Sequence, residues 1–111
     1  MYSVKNIQSP ENPDYTRLML ELLVKTTTEF SNDLKFALNN EDLIKINELA
    51  HKIKPSLMIM EVNSLVPLIK EIENYTTIDD NLRTKIYTTV NRLSKINEQI
   101  KYDLNSQNYP V

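Results

Sequence analysis

The chain predicts an all-α fold, an antiparallel up-and-down four-helix bundle with a short N-terminal lead-in that has room for one extra short helix. Three observations carry this. Apolar residues recur at three-four spacing in four separate stretches, the period of a helix with one buried face. No run shows the alternation of a half-buried strand. The connections between the periodic stretches are short, which makes successive helices antiparallel neighbours. With 111 residues, the chain forms one domain around one hydrophobic core.

The first 13 residues carry Pro10 and Pro13 and little periodicity, so they read as the lead-in, with Tyr2, Val4 and Ile7 able to pack across the bundle end. The first helix is expected over about 14–39, with Asp14 as N-cap. Its core face reads Tyr15, Leu18, Met19, Leu22, Leu23, Thr26, Phe30, Leu34, Ala37 and Leu38. Asn40 is the expected N-cap of a second helix over 41–60, with Glu41 and Asp42 favourable in its first turn. Ile46, Leu49, Ala50, Ile53, Leu57 and Met60 gather on its inner side. A third helix, 63–75, opens at Asn63 or Ser64, tolerates Pro67 in its first turn, and buries Leu65, Leu68, Ile69, Ile72 and Tyr75. Asp79 or Asp80 caps the fourth, 80–105, whose inward residues are Leu82, Ile86, Val90, Leu93, Ile96, Ile100 and Leu104.

Composition removes several function classes. A net charge of -2 leaves no basic face for phosphate neutralisation, so nucleic acid is not an expected partner. With no cysteine and a single histidine, disulfides, thiolate sites and multi-histidine metal sites are excluded. The chain has no glycine, which removes the phosphate-cradling loops of nucleotide-binding folds. No apolar run reaches the ~20 residues that span a bilayer, and no signal-peptide core opens the chain. A cytoplasmic protein that does not insert in membranes is the expectation, and the initiating Met1 leans towards a freestanding one.

The single histidine, His51, falls nearly opposite the core stripe of the second helix. Ile44, Asn47, Glu48, Pro55 and Met58 share that outer face, and Lys54 lies one step round. An outward imidazole beside a cation and apolar surface that the core does not use suits the handling of something external.

The run Ala50-His51-Lys52-Ile53-Lys54-Pro55-Ser56 resembles the histidine phosphotransfer domains of multistep two-component phosphorelays. Their pattern is Ala-His-x-Leu-Lys-Gly-Ser, then a glycine ten residues after the histidine, a leucine four further on, and a Leu-Glu-like end to the next helix. Ala50, His51, Ile53, Lys54, Ser56, Leu65 and Ile72-Glu73 fall into that register, within a likeness that extends from about Tyr15 through the third helix. Pro55 and Glu61 stand where the family has glycine. Pro55 predicts a local kink at 51–55, because its ring crowds the His51 carbonyl and offers it no N–H. At Glu61 the turn has to be made without glycine, with Asn63 the expected left-handed residue.

The resemblance implies that His51 accepts a phosphoryl group from a receiver-domain aspartate and passes it to another receiver. It implies Lys54 as the cation for the phosphoryl oxygens, and Ile44, Asn47, Glu48, Pro55 and Met58 as docking surface. The protein would be a phosphoryl carrier and not an autonomous enzyme, with no cofactor of its own, Mg²⁺ carried by the receiver, and a monomeric state. Its partners would be receiver domains of response regulators or hybrid sensor kinases. The alternative from a different class is a four-helix adaptor or anti-regulator that binds a receiver or kinase without carrying phosphate. Lys52 is expected to pair with Glu48 in solvent.

Overall fold

The computed structural model describes residues 1–12 and 14–111; Pro13, assigned above to the lead-in, lies outside them. A 3₁₀ turn at Lys5–Ile7 leads into four helices: α1 (Tyr15–Asn39), α2 (Leu43–Ile59), α3 (Val66–Glu73) and α4 (Asp80–Ser106). Each helix packs on the next and α4 returns to α1, which closes an up-and-down bundle. The histidine helix therefore lies between α1 and α3.

Three of the four predicted core stripes are the observed ones. Ile46, Leu49, Ala50, Ile53, Leu57 and Met60 of α2 and its end are buried, as are Leu65, Ile69 and Ile72 at α3 and Leu82, Ile86, Leu93, Ile96 and Ile100 of α4. Burying a side chain such as Leu57 contributes about 1.5–3 kcal/mol. The N-terminal half of α1 differs from expectation. Thr16, Leu20, Leu23 and Thr27 face the core, whereas Tyr15, Leu18 and Leu22 are exposed. Two neighbouring faces of this helix are apolar, and the expected stripe placed Thr26 inward, whereas Thr27 is buried and Thr26 is half-buried. Thr16 and Thr27 are buried because their hydroxyls are satisfied: Thr16 donates to the Ile7 carbonyl, and Thr27 donates to the Leu23 carbonyl while accepting from the Asn97 amide of α4.

The junctions depart from expectation in an informative way. Asn40 does not open α2; it closes α1, its backbone and side-chain N–H groups both meeting the Phe36 carbonyl. Glu41 then takes a left-handed conformation (φ 53°), and Asp42 caps α2 by accepting from the Lys45 N–H. Asp14 stands at the start of α1 without a side-chain capping bond, whereas Asp79 caps α4 at 2.8 Å through the Leu82 N–H. The third helix begins later than expected, at Val66, with Pro67 in its first turn. At the end of α2 the left-handed residue is Glu61 itself (φ 54°) and not Asn63. The Glu61 N–H bonds the Met58 carbonyl and the Val62 N–H bonds Leu57, a Schellman closure made without glycine.

The lead-in seals this same end. The Ser3 N–H donates to the Met60 carbonyl, the Asn6 amide reaches the Met58 and Ile59 carbonyls, and the Val4 N–H meets the Pro110 carbonyl of the tail. Tyr2, Val4 and Ile7 are buried as expected. The Tyr2 hydroxyl donates to the buried Asp103 carboxylate at 2.6 Å, and Gln99 donates to the other oxygen at 2.9 Å. Burial, followed by the hydrogen bond to that carboxylate, pushes the Tyr2 phenol well above its ordinary value.

Two stability predictions follow from these ends. Glu61→Gly removes the Cβ clash of the left-handed turn and raises stability by about 1 kcal/mol, even after the greater freedom of the unfolded chain is counted; a denaturant midpoint that falls contradicts this. Tyr2→Phe leaves Asp103 short of a donor and costs about 1–3 kcal/mol. Because the folded state holds the Tyr2 proton more tightly, its contribution is complete below the ordinary value of 10.0 and is lost as pH rises beyond it. Melting curves of Tyr2→Phe lack that part of the alkaline decline.

Candidate functional site

The site is built where α2 faces the end of α3. Asn47, His51 and Lys54 lie at i, i+4 and i+7 on α2, one stripe of a helix. All three reach the last residues of α3 or just beyond. His51 Nδ1 lies 2.5 Å from Glu73 Oε1, and Lys54 Nζ lies 2.7 Å from Glu73 Oε2. One carboxylate therefore serves two partners, one on each oxygen.

Glu73 is the last residue of α3, where the helix dipole presents negative charge and disfavours a carboxylate. The cationic Lys54 offsets this. Its hydrogen bond, and then that of His51, holds the Glu73 carboxyl below its ordinary range, so Glu73 is ionised at neutral pH. An ionised carboxylate can only accept, so the hydrogen between it and His51 belongs to Nδ1. In the neutral ring this leaves the lone pair on Nε2. The side chains of Lys54 and Glu73 are mostly covered, at 24% and 20% exposed, whereas that of His51 is 70% exposed. The arrangement is a fixed imidazole that presents a basic nitrogen to solvent.

The other predicted site residues divide. Ile44, Glu48, Pro55 and Met58 are exposed, as expected. Asn47 is not on the docking face: it is half-buried, and its amide donates to the Ile72 and Tyr75 carbonyls at 3.0 and 3.3 Å. It shares the α3-facing stripe with His51 and Lys54, and the neighbouring helix that covers it is not visible in a one-helix projection. Among the described residues Lys52 and Glu48 form no ion pair with each other; both extend into solvent, where such pairs are weak. Pro55 does not end α2, which is helical on both sides of it through Ile59.

Two further features of this surface are not legible in the sequence. Glu73 falls within the motif register, but a lone glutamate at a helix end, 22 residues from its histidine, carries no local signal of a task. Leu18 and Leu22, expected in the core, are 58% and 54% exposed. Leu18 is five full turns from Phe36, and Leu22 shares an azimuth with Asp33. Asp33 and Phe36 line the groove towards Lys45 of α2, so the two leucines stand on the α2 side of α1. Since α1 and α2 are antiparallel, they stand beside the C-terminal end of α2, where Met58 and Ile59 are exposed.

Among the described residues, no group of three histidine, aspartate, glutamate or cysteine side chains gathers that could hold a metal ion, and no helix is long and apolar enough to cross a membrane. No family model, no curated protein and no solved structure matches the chain.

The shared carboxylate predicts an acid response. A depressed folded-state value means that Glu73 contributes stability above the ordinary carboxyl value of 4.5, and that this is lost as pH falls through the lower folded value. Glu73→Gln should melt with a shallower decline between neutral and acid pH than the parent chain. Parallel acid limbs would show that the pairing adds nothing to folding.

Proposed function

We propose that the protein is a phosphoryl carrier of the histidine phosphotransfer type, with His51 as acceptor. The observation that carries this reading is the largely exposed imidazole held through Nδ1 by Glu73, which leaves Nε2 as the nitrogen available for chemistry. It joins the run Ala50-His51-Lys52-Ile53-Lys54 on the second helix of a bundle.

In the proposed reaction the Nε2 lone pair attacks the phosphorus of a phospho-aspartate on a receiver domain. The N–P bond forms as the P–O bond to the aspartate breaks, and the aspartate leaves as a carboxylate. The ring becomes cationic while it keeps its Nδ1 proton, and Glu73 lies against that charge. No proton has to leave the ring during transfer, and the reverse steps hand the group to a second receiver. Lys54, a turn from His51 and tied to the same carboxylate, is placed to share its charge with the phosphoryl oxygens. Such transfers rely on positioning and charge neutralisation. The receiver is expected to supply Mg²⁺. Docking would use the apolar residues around His51, namely Ile44, Pro55, Met58 and Ile59 on α2, with Leu18 and Leu22 on α1. Apolar surface set among charged residues suits a transient interface.

The test is incubation with a ³²P-labelled phospho-receiver from the same cell. The parent chain takes up acid-labile, alkali-stable label, His51→Gln takes up none, and Glu73→Ala does so more slowly by about 10–100-fold. Absence of label with any receiver, together with binding that survives His51→Ala, replaces this reading with that of an adaptor that carries no phosphate.

A further inference from the structure

We infer that Asn47 is a positioning residue that holds the end of α3 so that Glu73 meets His51; its consequence for phosphate acceptance rests on the proposed function above. The α3 helix has only eight residues, too few to sustain itself apart from its packing. Its last carbonyls lack the usual helical donors; from the backbone, Glu71 and Ile72 accept only turn bonds, from the Asn74 N–H at 3.2 Å and the Tyr75 N–H at 3.4 Å. Inside the helix end, Asn74 returns its own amide to the Lys70 carbonyl at 2.8 Å, a bond that does not involve α2. Among the described residues, Asn47 alone supplies uncharged side-chain cross-links from α2 to this end, to Ile72 on one side of Glu73 and Tyr75 on the other.

The geometry explains why these cross-links are needed. Ile69 and Ile72 anchor α3 in the core, yet they restrain the helix end only through non-directional contact. The two pairs made by Glu73 hold its carboxylate and not the backbone: the His51 pair is exposed and contributes little, and the Lys54 pair joins two long side chains. Hydrogen bonds from a half-buried amide to two carbonyls are directional, and they sit one helical turn before His51 on the same stripe of α2. Asn47 therefore sets where the backbone of residues 72–75 lies, and with it the carboxylate that selects the Nδ1–H form of the ring.

His51 is the only histidine, so one imidazole signal reports the result. The experiment is long-range ¹H–¹⁵N correlation of the ¹⁵N-labelled full chain at about pH 8.5, where imidazole is neutral, for the parent, Glu73→Ala, Asn47→Leu and Asn74→Ala, with melting curves for each. Receiver-dependent label uptake is measured alongside. The parent is expected to hold the Nδ1–H tautomer, and Asn47→Leu to move towards the mixture of Glu73→Ala. Its rate of label uptake falls about tenfold, with the half-saturating receiver concentration unchanged. Asn74→Ala loosens α3 but keeps the tautomer. If Asn47→Leu does not fold, the smaller Asn47→Ala carries the same readings. The inference is overturned if the Asn47 variants keep the parent tautomer, if Glu73→Ala keeps it, or if Asn74→Ala shifts it as much at equal loss of stability. Because the tautomer can be read in a chain that accepts no phosphate, failure of the relay reading and failure of this inference are separate results.

Discussion

The arrangement at His51 depends on an electrostatic conflict at the end of α3. A carboxylate on the last residue of a helix faces the partial negative charge of unpaired carbonyls, and left alone Glu73 would turn away into solvent. Lys54 and His51 on α2 hold it across the helix boundary, at 2.7 and 2.5 Å. The same contact that relieves the helix end also orients the imidazole, so one interaction serves both packing and chemistry. Because Lys54 and then His51 lower the Glu73 carboxyl below its ordinary range, and an ordinary carboxyl is already ionised at neutral pH, the carboxylate stays ionised beside a neutral ring. A neutral ring held by an anion at Nδ1 has its basic nitrogen outward, which is the form a nucleophile needs.

This site is possible because α2 keeps separate stripes for separate partners. Ile46, Leu49, Ala50, Ile53 and Leu57 belong to the core; Asn47, His51 and Lys54 turn towards α3; Ile44, Pro55 and Met58 remain for solvent or a partner. Pro55 fits this division. It lacks an N–H and would weaken most helix interiors by about 3 kcal/mol, but it lies on the exposed stripe, and α2 is anchored on both sides of it by buried residues.

The helix ends at both ends of the bundle show how a chain without glycine makes tight turns. Glu41, Glu61 and Gln107 all take left-handed conformations, each at a cost that glycine would avoid. At Glu61 the surroundings over-determine the turn. The Schellman bonds close α2, the lead-in supplies donors to the carbonyls of Met58, Ile59 and Met60, and Val62 is buried next to the turn. The lead-in is thus part of the fold: it satisfies the end of the histidine helix and pairs with the C-terminal tail.

What the sequence determined by itself is whatever depends on local period and local chemistry. The four helices, the inner stripes of α2, α3 and α4, an aspartate cap at 79 or 80, the burial of Tyr2, Val4 and Ile7, and the outward direction of His51 all follow from side-chain spacing and local chemistry along single segments. The tertiary structure decided what depends on how helices are rotated against one another. On α1 two adjacent apolar faces compete, and only packing against α2 and α4 buries Leu20 and Thr27 while leaving Leu18 and Leu22 outside. Asn47 looks like a surface residue in projection and becomes a cross-link only because α3 lies beside it. Glu73 acquires its partners from another helix, and no period along the chain connects residues so placed. Periodicity reports a side chain's direction from its own axis; which groups meet there is set by the neighbouring helix.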